Sequence, residues 1–507
     1  MPVMEAAARR ALRIHAEDNV AVVLEAVAKG DAVELAEGQL TALEDIPRGH
    51  KIALSDVAAG QDIIKYGHPI GRATQPIRRG AWVHTHNVQT KLGDKLSYQY
   101  TPSLSQGRME ENLEALPDVF EGYVRENGDV GIRNEIWVLP TVGCVNKMVE
   151  RLAQAAHAEL SGSGIDGVYA FPHPYGCSQL GDDLGYTQKA IAGLVRHPNA
   201  AGVLVVGLGC ENNQIDLLKA QLGDVPTAKV HYMALQSVQD EFEAGLAHLR
   251  ELAGYARQFR RTWVPVAKLR IGLKCGGSDG FSGITANPLV GKVADLFTNR
   301  GAAALLTEVP EMFGAETMLM NRAQDERTFA DIVQLINDFK DYYIRHNQVI
   351  YENPSPGNKD GGITTLEEKS LGCVQKGGHS PVTAVHAYGE PAHGGGVQLV
   401  QAPGNDLVSV TALALAGAQL VLFTTGRGTP FGGPVPTLKI ATNSDLYARK
   451  RHWMDFDAGR LVSGASMIEL AAALYRQVVD VASGLSQTQN ERFGYREIAI
   501  FKDGVTL

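Results

Sequence analysis

Beyond about residue 120 the chain alternates short apolar runs with longer stretches in which apolar residues recur every three or four positions. The short runs predict strands at residues 135–139, 167–171, 202–206, 269–273, 302–306 and 420–424. Predicted helices lie between them, among them residues 148–160 and residues 238–253, the second with Ser237 at its N-cap. Such alternation predicts an α/β body with mainly parallel sheets. Five of the six strands run into polar loops bearing Gly or Pro, and the sixth into Thr307-Glu308-Val309-Pro310-Glu311. Open α/β sheets bind ligands beyond the carboxyl ends of their strands, so these loops are expected to converge on one cleft.

The amino-terminal part reads differently. Four phrases repeat an apolar residue, two variable residues and a glycine: Val27-Ala28-Lys29-Gly30, Ile46-Pro47-Arg48-Gly49, Val57-Ala58-Ala59-Gly60 and Ile77-Arg78-Arg79-Gly80. A glycine there suits the positive φ of a tight turn, which predicts a small β-rich module over residues 12–90, behind an extension of residues 1–11. Residues 91–120 are polar and irregular and read as a linker, followed by α/β domains at 121–265 and 266–507. One uncharged run, residues 407–426, is long enough for a bilayer but contains Ser409, Thr411, Gln419, Thr424 and Thr425. It reads as a buried helix at 407–418, capped by Asn405 or Asp406, and then the strand at 420–424.

Composition narrows the class. With 507 residues, 44% hydrophobic and 20% charged, the chain is a folded, water-soluble body of several domains. A net charge of −9 without a long basic run argues against nucleic acid as a partner. Residues 1–19 hold no apolar run of the secretory kind, which predicts a cytoplasmic protein. Five cysteines in so long a chain point to free thiols or metal ligands rather than to a disulfide scaffold.

Four of those cysteines follow predicted strands: Cys144, Cys177, Cys210 and Cys275, at separations of 33, 33 and 65 residues. The spacing matches one or two βαβ repeats and predicts four thiols on one sheet edge, a donor set for iron, zinc or an iron–sulfur cluster. A small apolar residue in a tight turn explains any one of them equally well. His15, His50, His84 and His86 fall in the β module, where alternate strand residues His84 and His86 are placed to reach one ion; His15 and His86 join the expected metal set. His173 lies between prolines in a strand-end loop, suited to proton transfer. Arg133 with Asn134, Lys359 in a Pro- and Gly-bearing loop, and Arg427 are candidates to hold a substrate carboxylate. Asp182, Asp183, Glu308 and Glu311 serve either as oxygen ligands or as helix-capping residues. Gly276-Gly277-Ser278-Asp279-Gly280 has the form of a hydrolase elbow, but the next helix signal, Asn287-Pro288, comes too late for one.

At these strings the chain resembles a known family. Gly128-Asp129-Val130-Gly131-Ile132-Arg133-Asn134-Glu135, Thr141-Val142-Gly143-Cys144, Tyr175-Gly176-Cys177-Ser178-Gln179, Gly207-Leu208-Gly209-Cys210-Glu211-Asn212, Cys275-Gly276-Gly277-Ser278-Asp279-Gly280 and Thr425-Gly426-Arg427-Gly428-Thr429-Pro430 resemble the altronate/galactarate dehydratases. Part of the pattern is shared with sulfolactate sulfo-lyases. Residues 12–90, with Gly49-His50-Lys51 and Tyr66-Gly67, resemble the SAF domain of that family, a β-clip-like module. The resemblance implies dehydration of D-altronate to 2-dehydro-3-deoxy-D-gluconate in hexuronate catabolism, with iron(II), or else manganese(II), as cofactor. For the C2 proton, which a His or Lys base must take, His50 and Lys51 join His173 as candidate proton-handling groups. The galactarate-type pattern lacks the string at Cys373, which is therefore left out of the expected site. Alternatives are galactarate dehydration, a sulfo-lyase reaction and, in another class, a non-catalytic sugar-acid sensor. The expected partner is a small sugar acid, with no membrane; a homo-oligomer is left open.

Overall fold

The structure, a computed structural model, describes residues 9–93, 96–104, 116–162 and 164–503. Its first strand spans Arg9–Leu12 and pairs with Val20–Val23 and Ala32–Leu35, so residues 9–11 belong to the β module and not to the expected extension. The four repeated phrases pair in twos: Val27 bridges Ile46, and Val57 bridges Ile77. Their glycines all have positive φ, between 80° and 91°, the conformation the repeat demands. A six-stranded and a three-stranded sheet complete the module.

Within the expected linker, residues 94–95 and 105–115 lie outside the described residues, and a strand, Val119–Val124, already begins before residue 120. Tyr98 donates to Glu316 and Tyr100 to the Ala323 carbonyl, fastening this segment to the carboxyl-terminal body.

The body holds two parallel sheets. The first runs Gly167–Ala170, Glu135–Pro140, Ala200–Gly207, Val230–Ala234 in spatial order, all parallel. The second has seven parallel strands: Val382–His386, Gly396–Val400, Ala303–Leu306, Arg270–Cys275, Leu420–Thr425, Thr437–Ala441 and Phe456–Asp457. Every residue of Ala200–Gly207 and of Leu420–Thr425 is buried, because helices cover both faces of such sheets. A small antiparallel sheet, Val130–Gly131, Val119–Val124 and Arg261–Pro265, lies where the chain passes from one domain to the next.

The uncharged run divides as expected. It gives a buried helix, Asp406–Leu415, whose cap Asn405 accepts from the Val408 amide, and then strand Leu420–Thr425. Among the described residues no helix is long and apolar enough to cross a membrane. Two helix starts differ from expectation. Residues 235–237 form a 3₁₀ turn, and the following helix, Glu241–Ala256, is capped by Asp240 rather than Ser237. The helix expected to start at Asn287 spans Ala286–Thr298, and the buried Asn287 side chain instead donates to Gly372 and accepts from Thr424.

Candidate active site

In both body sheets the first strand in sequence lies inside the sheet, and the strand order reverses around it. In the second sheet that strand is Arg270–Cys275. The turn after it is zipped to the turn after Leu420–Thr425: Gly276 donates to the Thr424 carbonyl, and the Gly426 and Arg427 amides donate to Gly277 at 3.1 and 3.0 Å. The crevice beyond these turns is where such sheets bind ligands.

Its floor is built from buried charges. Lys274 pairs with Glu308 and with Asp406, the latter at 3.0 Å, and Lys376 lies 3.0 Å from Glu308. Glu308 follows strand Ala303–Leu306 in a left-handed conformation with φ 70°. Lys369 is 2.9 Å from Glu311 and donates to Asn353 and Asn358 at 2.9 and 3.2 Å. Burial opposes ionisation of Glu311, yet Lys369, Lys274 and Lys376 outweigh it and hold the carboxyl at about 2. The Cys373 thiol donates to Glu311 at 3.1 Å, and Cys275 Sγ lies 2.6 Å from Ser278 Oγ. The neighbouring Cys373 thiol, then Lys376 and Ser278, draw the Cys275 thiol well below its usual range against the opposing effect of burial.

Two cavities adjoin the zipped turns, and the first of them opens on this floor. One, of about 240 Å³, is lined by Cys275, Glu311, Asn353, Asn358, Lys369 and Asp406. The other, of about 790 Å³, lies beyond the Gly426-Arg427 turn and carries Arg48, Arg427 and Arg449 with Asp279, Asp360 and Asp445. The β module forms part of the enclosure. A Cβ on Gly280 or Gly362 would run into the Gly49 carbonyl, so backbones meet directly there. Lys51 and Lys65 reach across to Glu368 at 2.8 and 2.7 Å, all three side chains buried. Burial alone would raise the Glu368 carboxyl, but the two lysines prevail and hold it at about 2. Burial pushes Lys51 down to about 8.

The expected site residues divide among three places. Arg427 is exposed on the wall of the larger cavity. Lys359 sits on the short helix Pro356–Asp360, between Asn358 and Asp360, which line the two cavities, but itself lines neither. His50 and Lys51 stand at the junction of module and body, with both His50 nitrogens engaged: Nε2 lies 3.1 Å from the Asp360 carbonyl, and Nδ1 accepts from Trp82 at 3.2 Å.

Other expected groupings do not form. His84 and His86 share no face, because the strand ends at Val83 and the chain turns at His84, whose amide donates to Asn87; His84 is buried and His86 exposed. His15 accepts from the Glu17 amide at the module surface. Arg133 is locked to Glu491 at 2.7 Å and to two backbone carbonyls, and the buried Asn134 amide donates to Gly164 and Ala256. Arg133 thus ties the first α/β domain to the carboxyl-terminal one, Asn134 makes its bonds within the first domain, and neither reaches a cavity wall described above. His173, also in that domain, has Nε2 at 2.8 Å from the Pro140 carbonyl while Nδ1 accepts from Tyr175, so neither nitrogen is free for proton transfer.

The four thiols do not share an edge. Cys144, Cys177 and Cys210 are exposed on the loops after three adjacent strands of the first sheet, whereas Cys275 is buried in the second. The 65-residue interval does not span two repeats of one sheet: after Val230–Ala234 the chain adds a helix and an antiparallel strand, then opens a new sheet. The thiol that accompanies Cys275 is Cys373, on helix Leu366–Cys373, every residue of which is buried. Lys369 lies one turn before Cys373 on that helix. The i, i+4 spacing of Lys369 and Cys373, with Lys376 soon after, was a usable signal, but a polar helix gives no hint of its own burial.

Comparison with known proteins agrees with this architecture. The family described as D-galactarate/altronate dehydratase, C-terminal, matches residues 266–506; D-galactarate dehydratase/altronate hydrolase, second domain, matches 122–257; and the altronate/galactarate dehydratase SAF domain matches 9–91. The chain is 51% identical over 497 residues to the altronate dehydratase of Escherichia coli K12, covering 98% of this chain and 99% of that protein. It is 51% identical to the altronate dehydratase of Bacillus subtilis 168, with 98% and 99% covered. With the galactarate dehydratase (L-threo-forming) of E. coli K12 it shares 33% identity, with 97% and 96% covered. Three matching domains in one order, and near-complete overlap with proteins of this kind, show that the chain belongs to the altronate/galactarate dehydratase family and is an enzyme of the hydro-lyase class.

Proposed function

We propose that this enzyme removes water from D-altronate to give 2-dehydro-3-deoxy-D-gluconate in the crevice of the seven-stranded sheet. The observation that carries the choice of substrate is the 51% identity, over nearly the whole chain, to two altronate dehydratases, against 33% to a galactarate dehydratase. In the reaction the C2 proton leaves, the C3–O bond breaks with protonation of the departing hydroxyl, and the resulting enol tautomerises to the 2-keto acid. The C2 hydrogen is weakly acidic because the neighbouring carboxylate is already negative, so the site must supply positive charge where the ene-diolate forms.

Lys369 fits that role: it lines the smaller cavity, and although burial opposes its charge, the neighbouring Glu311 keeps it protonated. Asp406, the half-buried carboxylate on the same wall, is the base we assign to the C2 proton. Arg427, on the wall of the adjoining cavity, holds the substrate carboxylate. Iron(II), or manganese(II) in its place, is the cofactor we assign. Cys275, inclined toward thiolate, with Cys373 and Glu311 beside it, is a sulfur and oxygen donor set that suits a borderline divalent ion. Bound there, the ion would supply Lewis acidity toward substrate oxygens.

A second reading for the metal rests on the exposure of Cys144, Cys177 and Cys210, whose loops are tied together: Gly143 donates to Tyr175 and Asn213 to Gly176. That trio suits an iron–sulfur cluster. Anaerobic iron and sulfide analysis of Cys275→Ser against the triple Cys→Ser variant of the trio separates the two readings. The function itself is tested by offering the reduced, iron-loaded enzyme D-altronate, galactarate and sulfolactate and assaying 2-keto acid and sulfite. Keto acid from altronate is expected; turnover of either other acid alone overturns the proposal.

A further inference from the structure

On the first α/β domain, away from both sheet edges that carry thiols, three potential ligands converge. His231 lies near the amino end of edge strand Val230–Ala234, and His248 and Glu251 lie three residues apart on helix Glu241–Ala256. The two imidazoles face each other through Nδ1 at 3.1 Å, with rings nearly perpendicular at 81°. The nearest Glu251 oxygen is 3.7 Å from His231 Nδ1, and all three ligand atoms lie within 4.8 Å of one another. We propose that His231, His248 and Glu251 form a site for a divalent cation of the zinc kind, additional to the crevice.

The geometry argues for an ion rather than a hydrogen bond alone. Two nitrogens 3.1 Å apart, each about 2.05 Å from a shared ion, subtend about 100° at it, between octahedral and tetrahedral values. A carboxylate oxygen at 3.7 Å from the first nitrogen subtends a wider angle, about 125°, which the exposed Glu251 side chain can close by a small rotation. The ligand types are those of borderline d-block ions; a hard ion such as magnesium would want more oxygens. Burial, then the neighbouring His248, lowers the pKa of His231 and favours the neutral, metal-binding form of the ring. The neighbouring cation Arg250 is engaged with Glu159 at 2.7 Å and does not compete for Glu251.

An ion held this way ties the helix to the outermost strand of the first sheet, whose far side has no partner strand among the described residues. His248 and Glu251 come from the helix and His231 from the strand, so binding both elements at once stabilises the folded domain by mass action.

The test uses the chelator-stripped full chain with Cys144→Ser, Cys177→Ser, Cys210→Ser, Cys275→Ser and Cys373→Ser, so that neither the rim thiols nor the crevice thiols bind the probe. Zinc titrated by calorimetry is expected to bind with one equivalent, and cobalt(II) to give a visible spectrum without thiolate-to-metal charge transfer. His248→Ala is expected to weaken zinc at least tenfold, and Glu251→Gln, a surface change that leaves packing alone, to weaken it by a smaller factor. Zinc should raise the melting temperature of the parent but not of His248→Ala. No zinc binding by the parent, or equal affinity in parent and both variants, overturns the site.

Discussion

The carboxyl edges of the two parallel sheets start from the same plan and end differently. Each sheet reverses its strand order around its first strand, and each places a cysteine at or just after that strand's end, Cys144 in one and Cys275 in the other. The first edge stays open, with Cys144, Cys177 and Cys210 exposed. The second is roofed by the β module and by helix Leu366–Cys373, and beneath that roof Lys274, Lys369 and Lys376 face Glu308, Glu311 and Asp406. The strand-end topology is common to both; the cover is not. Removing water strengthens every charge interaction below it, so only the roofed edge assembles charges able to stabilise a dianionic intermediate.

Five measurements, the first two on the same edge, break or sharpen this contrast. The largest effect is expected from Lys369→Met, which removes the roofed-edge lysine that lines the smaller cavity: turnover of altronate should fall by roughly 10³-fold, read by keto-acid formation. Asp406→Asn should in addition stop exchange of the C2 hydrogen with deuterium oxide.

Next, Glu368→Ala leaves Lys51 and Lys65 buried without their shared carboxylate. A loss of about 3–5 kcal/mol in denaturant unfolding is expected. An unchanged midpoint would mean that the module does not hold its place through that triad.

Acid comes fourth. Glu311 and Glu368 have folded-state pKa values of about 2, below the ordinary 4.5. Their stabilisation is therefore complete above about pH 4.5 and is lost as the pH falls from there toward 2. A melting temperature flat across that window would contradict the ion-paired floor.

The mildest probe is alkylation of the native enzyme. Three thiols should react quickly, and the remaining two, Cys275 and Cys373, only after denaturation. Mass spectrometry counts them; five fast thiols would erase the difference between the edges.

Much of the architecture was legible in the residues. All six expected strands form, with ends within two residues of expectation, because apolar runs bounded by turn residues depend on local chemistry and burial on both faces. The four Val/Ile-x-x-Gly phrases likewise marked a turn-rich β module, although their pairing in twos was visible only in the fold. The site was legible only in part. Cys275 and Arg427, at or just past strand ends, line the two cavities, whereas His173, Arg133 and Asn134 are spent on backbone carbonyls and on Glu491, because a polar group in a turn looks the same whether it meets substrate or a backbone carbonyl.

The amino-acid order by itself determined the strands, the helices between them, the turn-rich module and the family to which the chain belongs, all of which depend on short-range pattern. Which thiols are neighbours, which lysines are buried and which edge is covered were decided only in three dimensions. The contacts that settle them, Lys51 to Glu368 across 317 residues and Cys373 to Glu311 across 62, join segments that local pattern never relates. Burying such charges is favourable only once the partner is already in place.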